Sequence, residues 1–505
     1  MSCGVFSYDP LPTIISVVRY ATLLLLAALP LTAAEHQIIG QSAKGTQVEA
    51  ALLAGGERTI IVVGGLSGRD ASSAAVEKVA KDYEAKAEAR RPFRLIAIPV
   101  ANPDGARLTF PPTGPAYKEN TESHVLWRWI GVHAPDLVLI AGPDSGLAVA
   151  LSANAAALMG KIPAQALGAA LPGTVEQSEA HRELARRLAR APNQTLAELA
   201  PFYGHNLDQV NYINTVALIA QLRMGNLEEV MRLAEPWASG AKDALSRPGS
   251  TILPGFLLFA ELAERTGDQR YTALVRKAAN LAFTAAGEMK DAMPYHDEMS
   301  DSVFMGTPIL ARAGRLSGDR RYFDMAERHL IFMQRLGQRA DGLYRHTPLT
   351  DAAWGRGNAF PALGMAFTLP EMPRDHRAYA GMVAEFQHHM EALARRQDSD
   401  GLWHEVIDEP GSYAEFTATA MIGYSMLQGI RHGWLARAEY QPLVDKAWRA
   451  INARSGADGK LVDVCESTGK MKSLADYLNR TAILDVDTRG GAMAMLFASA
   501  MAGMK

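Results

Sequence analysis

Three stretches of the sequence place polar side chains at the start of otherwise apolar runs with helical periodicity. They are Asp297-Glu298-Met299-Ser300-Asp301 before 302–308, Trp354-Gly355-Arg356-Gly357-Asn358, and Tyr413-Ala414-Glu415 before 416–421. In a bundle of helices such starts can converge at one mouth, where their hydrogen-bonding groups face a shared pocket. A carboxylic acid in a pocket of this kind can donate a proton and take it back. Asp301 is our candidate for the proton donor.

The length and the charge balance restrict what must position these residues. At 505 residues the chain exceeds what one hydrophobic core usually covers, which predicts two domains. The 51 Lys and Arg residues nearly balance the 54 Asp and Glu residues, and no basic run is interleaved with aromatic residues. Nucleic-acid binding needs such an electrostatic footprint, so we expect no nucleic-acid partner.

The first residues have the order of a targeting segment. Arg19 precedes an apolar run over 21–29, and small residues follow up to Ala34. This layout is typical of a secretory signal peptide, so we expect residues 1–34 to be removed. The mature protein would be periplasmic or secreted, with no stable membrane insertion. The alternative is an uncleaved anchor that extends back over 11–18, a span that Arg19 interrupts.

Residues 35–190 alternate short apolar runs with helical stretches. The runs at 59–63, 94–100 and 137–140 each lead into turn signals made of Gly, Pro or Asn. Short apolar runs bounded in this way are typical of buried parallel strands. We therefore predict an α/β module over 35–190, with an Ala-rich helical part at 147–190.

Part of this module resembles the core of the zinc carboxypeptidases. The segments that carry the resemblance are Gly64-Gly65-Leu66-Ser67-Gly68-Arg69-Asp70, Ile98-Pro99-Val100-Ala101-Asn102-Pro103-Asp104-Gly105 and Pro135-Asp136-Leu137-Val138. That family needs a His, a Glu three residues later and a second His, because a catalytic zinc takes three protein ligands and one water. Ser67, Asp70 and Gly142 stand at those places in this chain. We therefore expect no metal site, and we interpret residues 46–142 as a metal-free relic or an accessory domain.

From residue 193 onward the apolar residues recur with an almost purely helical period. Twelve helices are predicted, at 206–222, 225–236, 252–265, 269–286, 301–315, 320–336, 358–369, 375–396, 413–430, 437–452, 472–480 and 489–503. Gly267-Asp268 and Gly318-Asp319 mark similar turns, each with a C-terminal Gly, an N-capping Asp and a Tyr on the next helix. Such self-similar hairpins indicate an array. Six pairs can close into an (α/α)6 toroid over 193–505 with a loop-lined mouth; an open superhelical solenoid is the alternative.

Several motifs of this half occur together in one order. They are Asp301-Ser302-Val303-Phe304-Met305-Gly306-Thr307-Pro308, Trp354-Gly355-Arg356-Gly357-Asn358, Gly401-Leu402-Trp403, 413–421 and Val464-Cys465-Glu466-Ser467-Thr468-Gly469. With them the chain resembles the unsaturated rhamnogalacturonyl hydrolases and, less closely, the unsaturated glucuronyl hydrolases, glycoside hydrolase families 105 and 88. The resemblance implies the toroid, an oligosaccharide substrate and no cofactor. It implies removal of a terminal 4,5-unsaturated uronic acid from oligosaccharides that polysaccharide lyases produce, by hydration of the vinyl ether.

By this resemblance Asp301 is the catalytic acid and then the base. Asp301 must start protonated, and Asp297, four residues earlier, is a carboxylate that would favour that state. The alternative role for Asp301 is to cap a helix. The second aspartate of the family falls at Ser250 here, so we consider Asp208, from an adjacent helix, either a catalytic substitute or a surface acid.

The resemblance also implies a substrate-binding set. Arg356 has a planar fork that matches the two oxygens of a uronate carboxylate, and its alternative role is to hold its own turn through backbone carbonyls. His346 is a candidate to bind a sugar hydroxyl or to polarise the attacking water, or else it is structural. The remaining candidates are Trp354 and Trp403 as stacking faces, with Asn358, Tyr413 and Glu415 along the inner wall.

Two other functions stay open at this point. One is a carbohydrate-binding toroid that lost turnover together with the second aspartate, and the other is a residual peptidase in the N-terminal module. The sequence gives no indication of the oligomeric state or of the sugar that leaves.

Overall fold

The computed structural model describes residues 34–504. The predicted signal peptide therefore lies, except for Ala34, outside the described residues. None of the helices within this range combines the length and the apolar character that crossing a bilayer requires.

The N-terminal module is built on a six-stranded mixed sheet. Its strands are β1 (Glu35–Gln41), β2 (Gln47–Leu53), β3 (Thr59–Val63), β4 (Arg94–Ile98), β5 (Leu137–Ile140) and β6 (Ala164–Ala166), in the spatial order β1-β2-β4-β3-β5-β6. Strands β4, β3, β5 and β6 run parallel, and β1 and β2 extend the sheet antiparallel at one edge. The three predicted strands are confirmed as β3, β4 and β5, at the centre of this sheet.

Helices cover both faces of the sheet. They are α1 (Ala71–Glu84), α2 (Thr121–His133), α3 (Leu147–Ala153) and α4 (Glu179–Ala189). Ile61 and Val63 of β3 pack into a core with α2 and α3, and Ile60 and Val62 pack into a second core with α1. Successive strand residues point to opposite faces, and both faces are buried here, which explains why β3 is apolar throughout.

The C-terminal part is a closed ring of paired helices. Its helices are α5 (Pro192–Leu199), α6 (Tyr212–Arg223), α7 (Leu227–Ala238), α8 (Leu257–Thr266), α9 (Gln269–Ala279), α10 (Ser302–Ser317), α11 (Arg321–Gly337), α12 (Gly355–Thr368), α13 (Tyr379–Ala394), α14 (Phe416–Arg431), α15 (Arg437–Ala453) and α17 (Thr488–Met501), with a short α16 (Leu474–Leu478) in a loop. Two ribbons complete this part: β7 (Trp403–His404) with β8 (Ala414–Glu415), and β9 (Leu461–Cys465) with β10 (Ala482–Asp485).

The inner wall consists of α6, α8, α10, α12, α14 and α17, each packed on the next, and α17 packs back on α6. Helices α7, α9, α11, α13, α15 and α5 pack outside them, one on each inner helix. Every residue of α12 is buried, as expected for a helix enclosed on all sides. This closure confirms the toroid and excludes the open solenoid. Because an outer helix returns the chain between inner ones, the inner helices run the same way and start at one mouth.

Two helical predictions were wrong. The segment 472–480 was expected to be a toroid helix, but only Leu474–Leu478 is helical and it lies in a loop. The twelfth helix is instead α5, which begins at Pro192, a residue suited to the first turn because its missing N–H needs no partner there. Within 147–190 only α3 and α4 are α-helical, since Pro163, Pro172 and several glycines interrupt the stretch between them.

Candidate active site

Asp301 lies at the mouth of the ring, immediately before α10. It is 8% exposed, and its side chain makes no capping hydrogen bond to α10. Its Oδ1 atom has no hydrogen-bond partner within residues 34–504. A buried carboxylate oxygen without a partner costs free energy unless another molecule binds it. The alternative role as a helix cap is therefore not observed, and the carboxyl group is free to act.

His346 faces this carboxyl group. The distance between His346 Nε2 and Asp301 Oδ1 is 3.5 Å, and His346 is fully buried. Nδ1 of the ring hydrogen-bonds the Tyr477 hydroxyl at 2.7 Å, whereas Nε2 has no hydrogen-bond partner in the described chain. The two unpartnered atoms thus point at one spot, where they can both bind a third group.

Short hydrogen bonds hold this pair in place. Ser300 N donates to His346 O at 2.9 Å, and Ser300 Oγ donates to Gly357 O at 2.6 Å. A Cβ atom on Gly357 would lie 3.0 Å from Ser300 Oγ and 3.3 Å from the His346 ring, so the glycine permits this close approach. The segments around Asp301, His346 and Gly357 therefore meet at one place.

His329 hydrogen-bonds the first residue of α10, and this role was not predicted from the sequence. Met293 N donates to its Nδ1 at 3.2 Å, and its Nε2 lies 2.7 Å from Ser302 O, so Nε2 carries the proton. Burial lowers the pKa of His329 to about 4, which keeps the ring neutral. A Cβ atom on Gly306 would lie 2.5 Å from His329 Nε2, which explains the glycine in this motif.

Trp354 and Asn358 form the wall behind the pair rather than an exposed sugar-binding face. Trp354 is 1% exposed, its ring lies 4.4 Å from that of His346, and its Nε1 donates to Glu405 Oε1 at 2.8 Å. Asn358 is fully buried and bonds Tyr344 through both its N–H and its C=O groups. Both residues position the His346 segment.

The structure places Arg356 differently from our prediction. It is 2% exposed, and its terminal nitrogens donate to Cys465 O and Glu466 O, each at 2.6 Å. Its Nη1 also lies 3.8 Å from Glu415 Oε1. The guanidinium is thus occupied by protein groups. Its contacts match the alternative role, in which Arg356 binds backbone carbonyls.

Glu415 and Glu405 are buried beside Arg356, and only Glu415 was predicted. Glu415 caps α14, because Ala418 N donates to its Oε2 at 2.5 Å. Glu405 shares its Oε1 between Trp354 Nε1 and the Cys465 thiol, and its Oε2 has no partner within residues 34–504. Burial, and then the charge of Glu415, raise the pKa of Glu405 to about 8. Glu405 is therefore mostly a neutral acid near pH 7.

Three of the remaining candidates do not contact the Asp301–His346 pair, and a fourth, Tyr413, lies behind it. Asp297 is exposed in a left-handed turn (φ 50°) that directs it outward, and Asp208 is exposed in the loop before α6. Trp403 is fully buried and donates its Nε1 to Leu393 O at 2.8 Å. Tyr413 stacks at 4.6 Å on Tyr117 of the N-terminal module and packs in one apolar cluster with Trp354 and Tyr477, so it lies behind the pair. The positions of Asp297, Asp208 and Trp403 do not support the prediction that they form one site with Asp301.

Two further residues of this region, Tyr212 and Arg489, were not predicted from the sequence. Tyr212 begins α6, and Arg489 lies in the first turn of α17. Burial raises the pKa of the Tyr212 phenol, while the nearby guanidinium groups of Arg489 and Arg356 oppose this and the charge of Asp301 adds to it. Tyr212, on the first inner helix, thus lies within electrostatic range of the acid, and Arg489, on the last inner helix, lies within range of Tyr212.

Comparison with known proteins adds a family match. A family model described as Glycosyl Hydrolase Family 88 matches residues 233–505, more than half of the chain. The unsaturated rhamnogalacturonyl hydrolase YesR of Bacillus subtilis is 30% identical over 186 residues, 35% of this chain and 52% of the relative. An unsaturated 3S-rhamnoglycuronyl hydrolase of Formosa agariphila is 25% identical over 181 residues, 32% of this chain and 48% of the relative. The chain thus spans about half the length of these curated relatives.

Solved structures show the same ring. A glycoside hydrolase from family 105 of C. acetobutylicum superposes with a TM-score of 0.55 at 19% identity, over 62% of this chain and 100% of the other. A possible family 105 member from Salmonella enterica gives a TM-score of 0.52 at 22% identity, over 66% of this chain and 97% of the other. At these identities the match concerns the fold alone.

Proposed function

Because the chain belongs to glycosyl hydrolase family 88, we propose that it removes a terminal 4,5-unsaturated uronic acid from oligosaccharides that polysaccharide lyases release. The observation that supports this proposal is the buried pair of Asp301 and His346, whose facing atoms have no partner within residues 34–504. The curated relatives named for rhamnogalacturonyl and rhamnoglycuronyl substrates support the same class of sugar.

The chemistry needs one acid that later acts as a base. The Asp301 carboxyl group protonates C4 of the vinyl ether, and positive charge develops at C5 beside the ring oxygen. Water then adds at C5 and gives its proton to the Asp301 carboxylate, which restores the acid. The resulting hemiketal opens and expels the remaining saccharide. His346 Nε2 is placed to hold the water or a sugar hydroxyl next to Asp301.

The arrangement of the ring favours an anionic substrate. The inner helices start at the mouth, and a helix N-terminus carries a partial positive charge with unsatisfied N–H groups. Asp301 and Trp354 lie at such starts, immediately before α10 and α12, whereas the start of α14 is already capped by the Glu415 carboxylate. A uronate carboxylate entering the mouth meets these ends together.

An absorbance assay tests the proposed reaction. The conjugated double bond of the unsaturated uronate absorbs in the ultraviolet, and hydration removes this absorbance. On a panel of unsaturated disaccharides we expect clearance by the wild type and a loss of at least about 100-fold in kcat for Asp301→Asn. Asp375→Asn, at an exposed residue that pairs with Arg320 in the loop after α10, is the matched control and should retain full activity.

Two further variants test the exposed carboxylates. For Asp297→Asn and Asp208→Asn we expect changes of less than about 3-fold, since exposed substitutions usually cost little. Persistent absorbance with every disaccharide, together with measurable sugar binding, would contradict hydrolysis and favour a carbohydrate-binding module.

For the N-terminal module we propose a metal-free accessory role with a carboxypeptidase-like ancestry. In its support, Asp70 is engaged in capping α1, accepting from Ser72 N at 2.8 Å, and Ser67 is exposed. Gly142 offers no side chain for a metal. Metal analysis of the purified protein tests this role, and stoichiometric zinc would contradict it.

We also propose that the protein is exported through residues 1–34. The charged, apolar and small-residue order of this segment supports the proposal, and β1 starts at Glu35, so cleavage after Ala34 leaves the sheet complete. N-terminal sequencing of the mature protein should begin at Glu35. A chain that retains its first residues would contradict cleavage.

A further inference from the structure

We infer that Arg489, and not Arg356, binds the carboxylate of the unsaturated uronate, with the Tyr212 hydroxyl beside it. This inference rests on the proposed function and assigns the group that recognises the charge of the substrate. Arg356 is not available for this role. Its terminal nitrogens already donate to Cys465 O and Glu466 O, and its charge faces Glu415. A carboxylate could displace these contacts only by leaving buried carbonyls without donors, at a cost in free energy.

Arg489 has a different environment. It is half-buried, and its Nη1 donates to Cys465 O at 3.2 Å, a longer bond than the 2.6 Å bonds of Arg356. The guanidinium also lies near the Tyr212 phenol, because its charge opposes the rise that burial causes in the pKa of that group. A planar guanidinium has five N–H donors, so these contacts leave donors available for the two oxygens of a carboxylate.

The position of Arg489 relative to Asp301 suits the substrate. Tyr212 lies close enough to both Arg489 and Asp301 for their charges to affect its phenol. The carboxylate of the unsaturated uronate is attached to C5, the atom next to the C4 that Asp301 protonates. A group that holds this carboxylate must therefore lie near Asp301. Arg489 donates to the same Cys465 O as Arg356, and Gly357, next to Arg356, accepts from Ser300 Oγ beside Asp301, so hydrogen bonds link Arg489 to the segment of the acid.

The first turn of α17 fixes Arg489 rigidly. Asp487 caps the helix by accepting from Gly490 N at 2.7 Å. A Cβ atom on Gly490 would lie 2.7 Å from Leu461 and Val464 side-chain atoms of β9, so the helix lies directly against that strand. The helix start contributes its own partial positive charge next to the guanidinium. The site is thus preorganised for an anion.

The experiment compares a free acid with its ester. The probe is the best unsaturated disaccharide of the wild-type panel, and the same compound methyl-esterified on its unsaturated ring. We expect Arg489→Gln to lower kcat/KM for the acid about 10- to 100-fold and to change the value for the ester by less than about 3-fold. Arg489→Lys keeps a point charge but loses the fork, so it should recover part of the activity on the acid.

Other variants separate binding from folding. Tyr212→Phe should lower kcat/KM for the acid several-fold more than for the ester, because only the carboxylate uses the hydroxyl. Arg356→Lys should lower the melting temperature and leave the acid-to-ester ratio unchanged. Arg437→Gln, an exposed arginine on the outer helix α15, is the charge-matched control and should behave as the wild type.

The outcomes are distinct for the two proposals. If the wild type clears no unsaturated disaccharide, the proposed function fails. If the wild type is active but Arg489→Gln, correctly folded by its melting temperature, affects acid and ester equally, the function stands and the role of Arg489 is refuted. Should Arg489→Gln not fold, the acid-to-ester ratio of Arg489→Lys decides: a ratio equal to that of the wild type would overturn the inference.

Discussion

Glu405 is a neutral carboxylic acid inside the wall behind the active site, and this has a consequence for stability. The ordinary pKa of a glutamate side chain is 4.5, and burial with the charge of Glu415 raises that of Glu405 to about 8. Between these values the folded chain keeps a proton that the unfolded chain has released. The stabilisation of the folded chain by this bound proton is therefore fully present below about pH 4.5. It decreases as the pH rises towards 8 and is absent above that pH.

We expect Glu405→Gln to reduce this pH dependence. The glutamine is an uncharged isostere whose carbonyl oxygen can accept from Trp354 Nε1 as Oε1 does. The free energy of unfolding is measured by denaturant titration at pH 5 and at pH 8. Its decrease from pH 5 to pH 8 should be smaller by a few kcal/mol in the variant than in the wild type. Glu391→Gln, at an exposed residue of α13, serves as the control. Equal losses in the variant and the wild type would show that Glu405 does not titrate in this window.

The residues of the site differ in how far the sequence could identify them. Asp301 and His346 were identified through motifs, and the structure brings them together. Arg489 and Tyr212 carried no such signal, because an arginine in the first turn of an apolar helix looks the same whether it faces a pocket or solvent. Arg356 was assigned to the right region, but its partners, the carbonyls of residues 465 and 466, are set by a strand distant in sequence. Side-chain partners of this kind depend on tertiary packing.

At the scale of elements, the ring closes where α17 packs against the segment between α5 and α6, and this contact requires a glycine in α17. A Cβ atom on Gly491 would lie 2.3 Å from the ring of Tyr203, which lies between α5 and α6. We expect Gly491→Ala to destabilise the protein by about 1–3 kcal/mol, because the inserted methyl group overpacks a buried contact. Thermal and denaturant unfolding measure this loss.

The matched control is another helical glycine. Gly381 is exposed on α13, and a Cβ atom there would meet no atom within 4 Å. Gly381→Ala should stabilise the protein by about 0.5–1 kcal/mol, since alanine loses less backbone entropy in a helix. A destabilisation of the same size at both positions would indicate that the tight contact at Gly491 is not the cause.

Most elements followed from periodicity, and the failures have physical reasons. The inner helices have long apolar runs, and outer helices such as α9 have capping residues, here Asp268, which accepts from Arg270 N at 2.9 Å, so the existence of these helices was predictable. Strands β1 and β2 were not predicted, because edge strands mix polar and apolar residues and lack a continuous apolar run. Helix α5 is short and begins at Pro192, between the predicted end of the α/β module at residue 190 and the predicted start of the toroid at residue 193.

At the scale of the whole molecule, a buried ion pair joins the N-terminal module to the ring. Arg128 of α2 pairs with Asp463 of β9, and both side chains are 7% exposed. The ring of Tyr117 stacks on Tyr413, and its hydroxyl donates to Asp463 Oδ2 at 3.4 Å. Asp463 lies two residues before Cys465, whose carbonyl accepts from Arg356 and from Arg489. The module therefore supports the strand on which the site depends.

We expect Asp463→Asn to destabilise the protein by about 3–5 kcal/mol, because it leaves Arg128 buried without a counter-ion. Asn tolerates the left-handed backbone at this position (φ 62°), so the substitution tests the charge. The double variant Arg128→Met with Asp463→Asn should cost less than the sum of the single ones. Lys78→Gln, in an exposed ion pair with Asp82, should cost less than about 1 kcal/mol. Additive losses in the double variant would show that the two side chains are not coupled.

The closed ring also has a consequence for how the protein is made. Helix α17 is the last of the inner helices to leave the ribosome, yet it occupies the gap between α14 and α6. Until it emerges, both of these neighbours expose apolar surface that only α17 covers. Until α17 is synthesised the ring cannot close, and the exposed apolar surface favours aggregation of the nascent chain. Because α17 also carries Arg489, the same late step that seals the core would complete the proposed binding site.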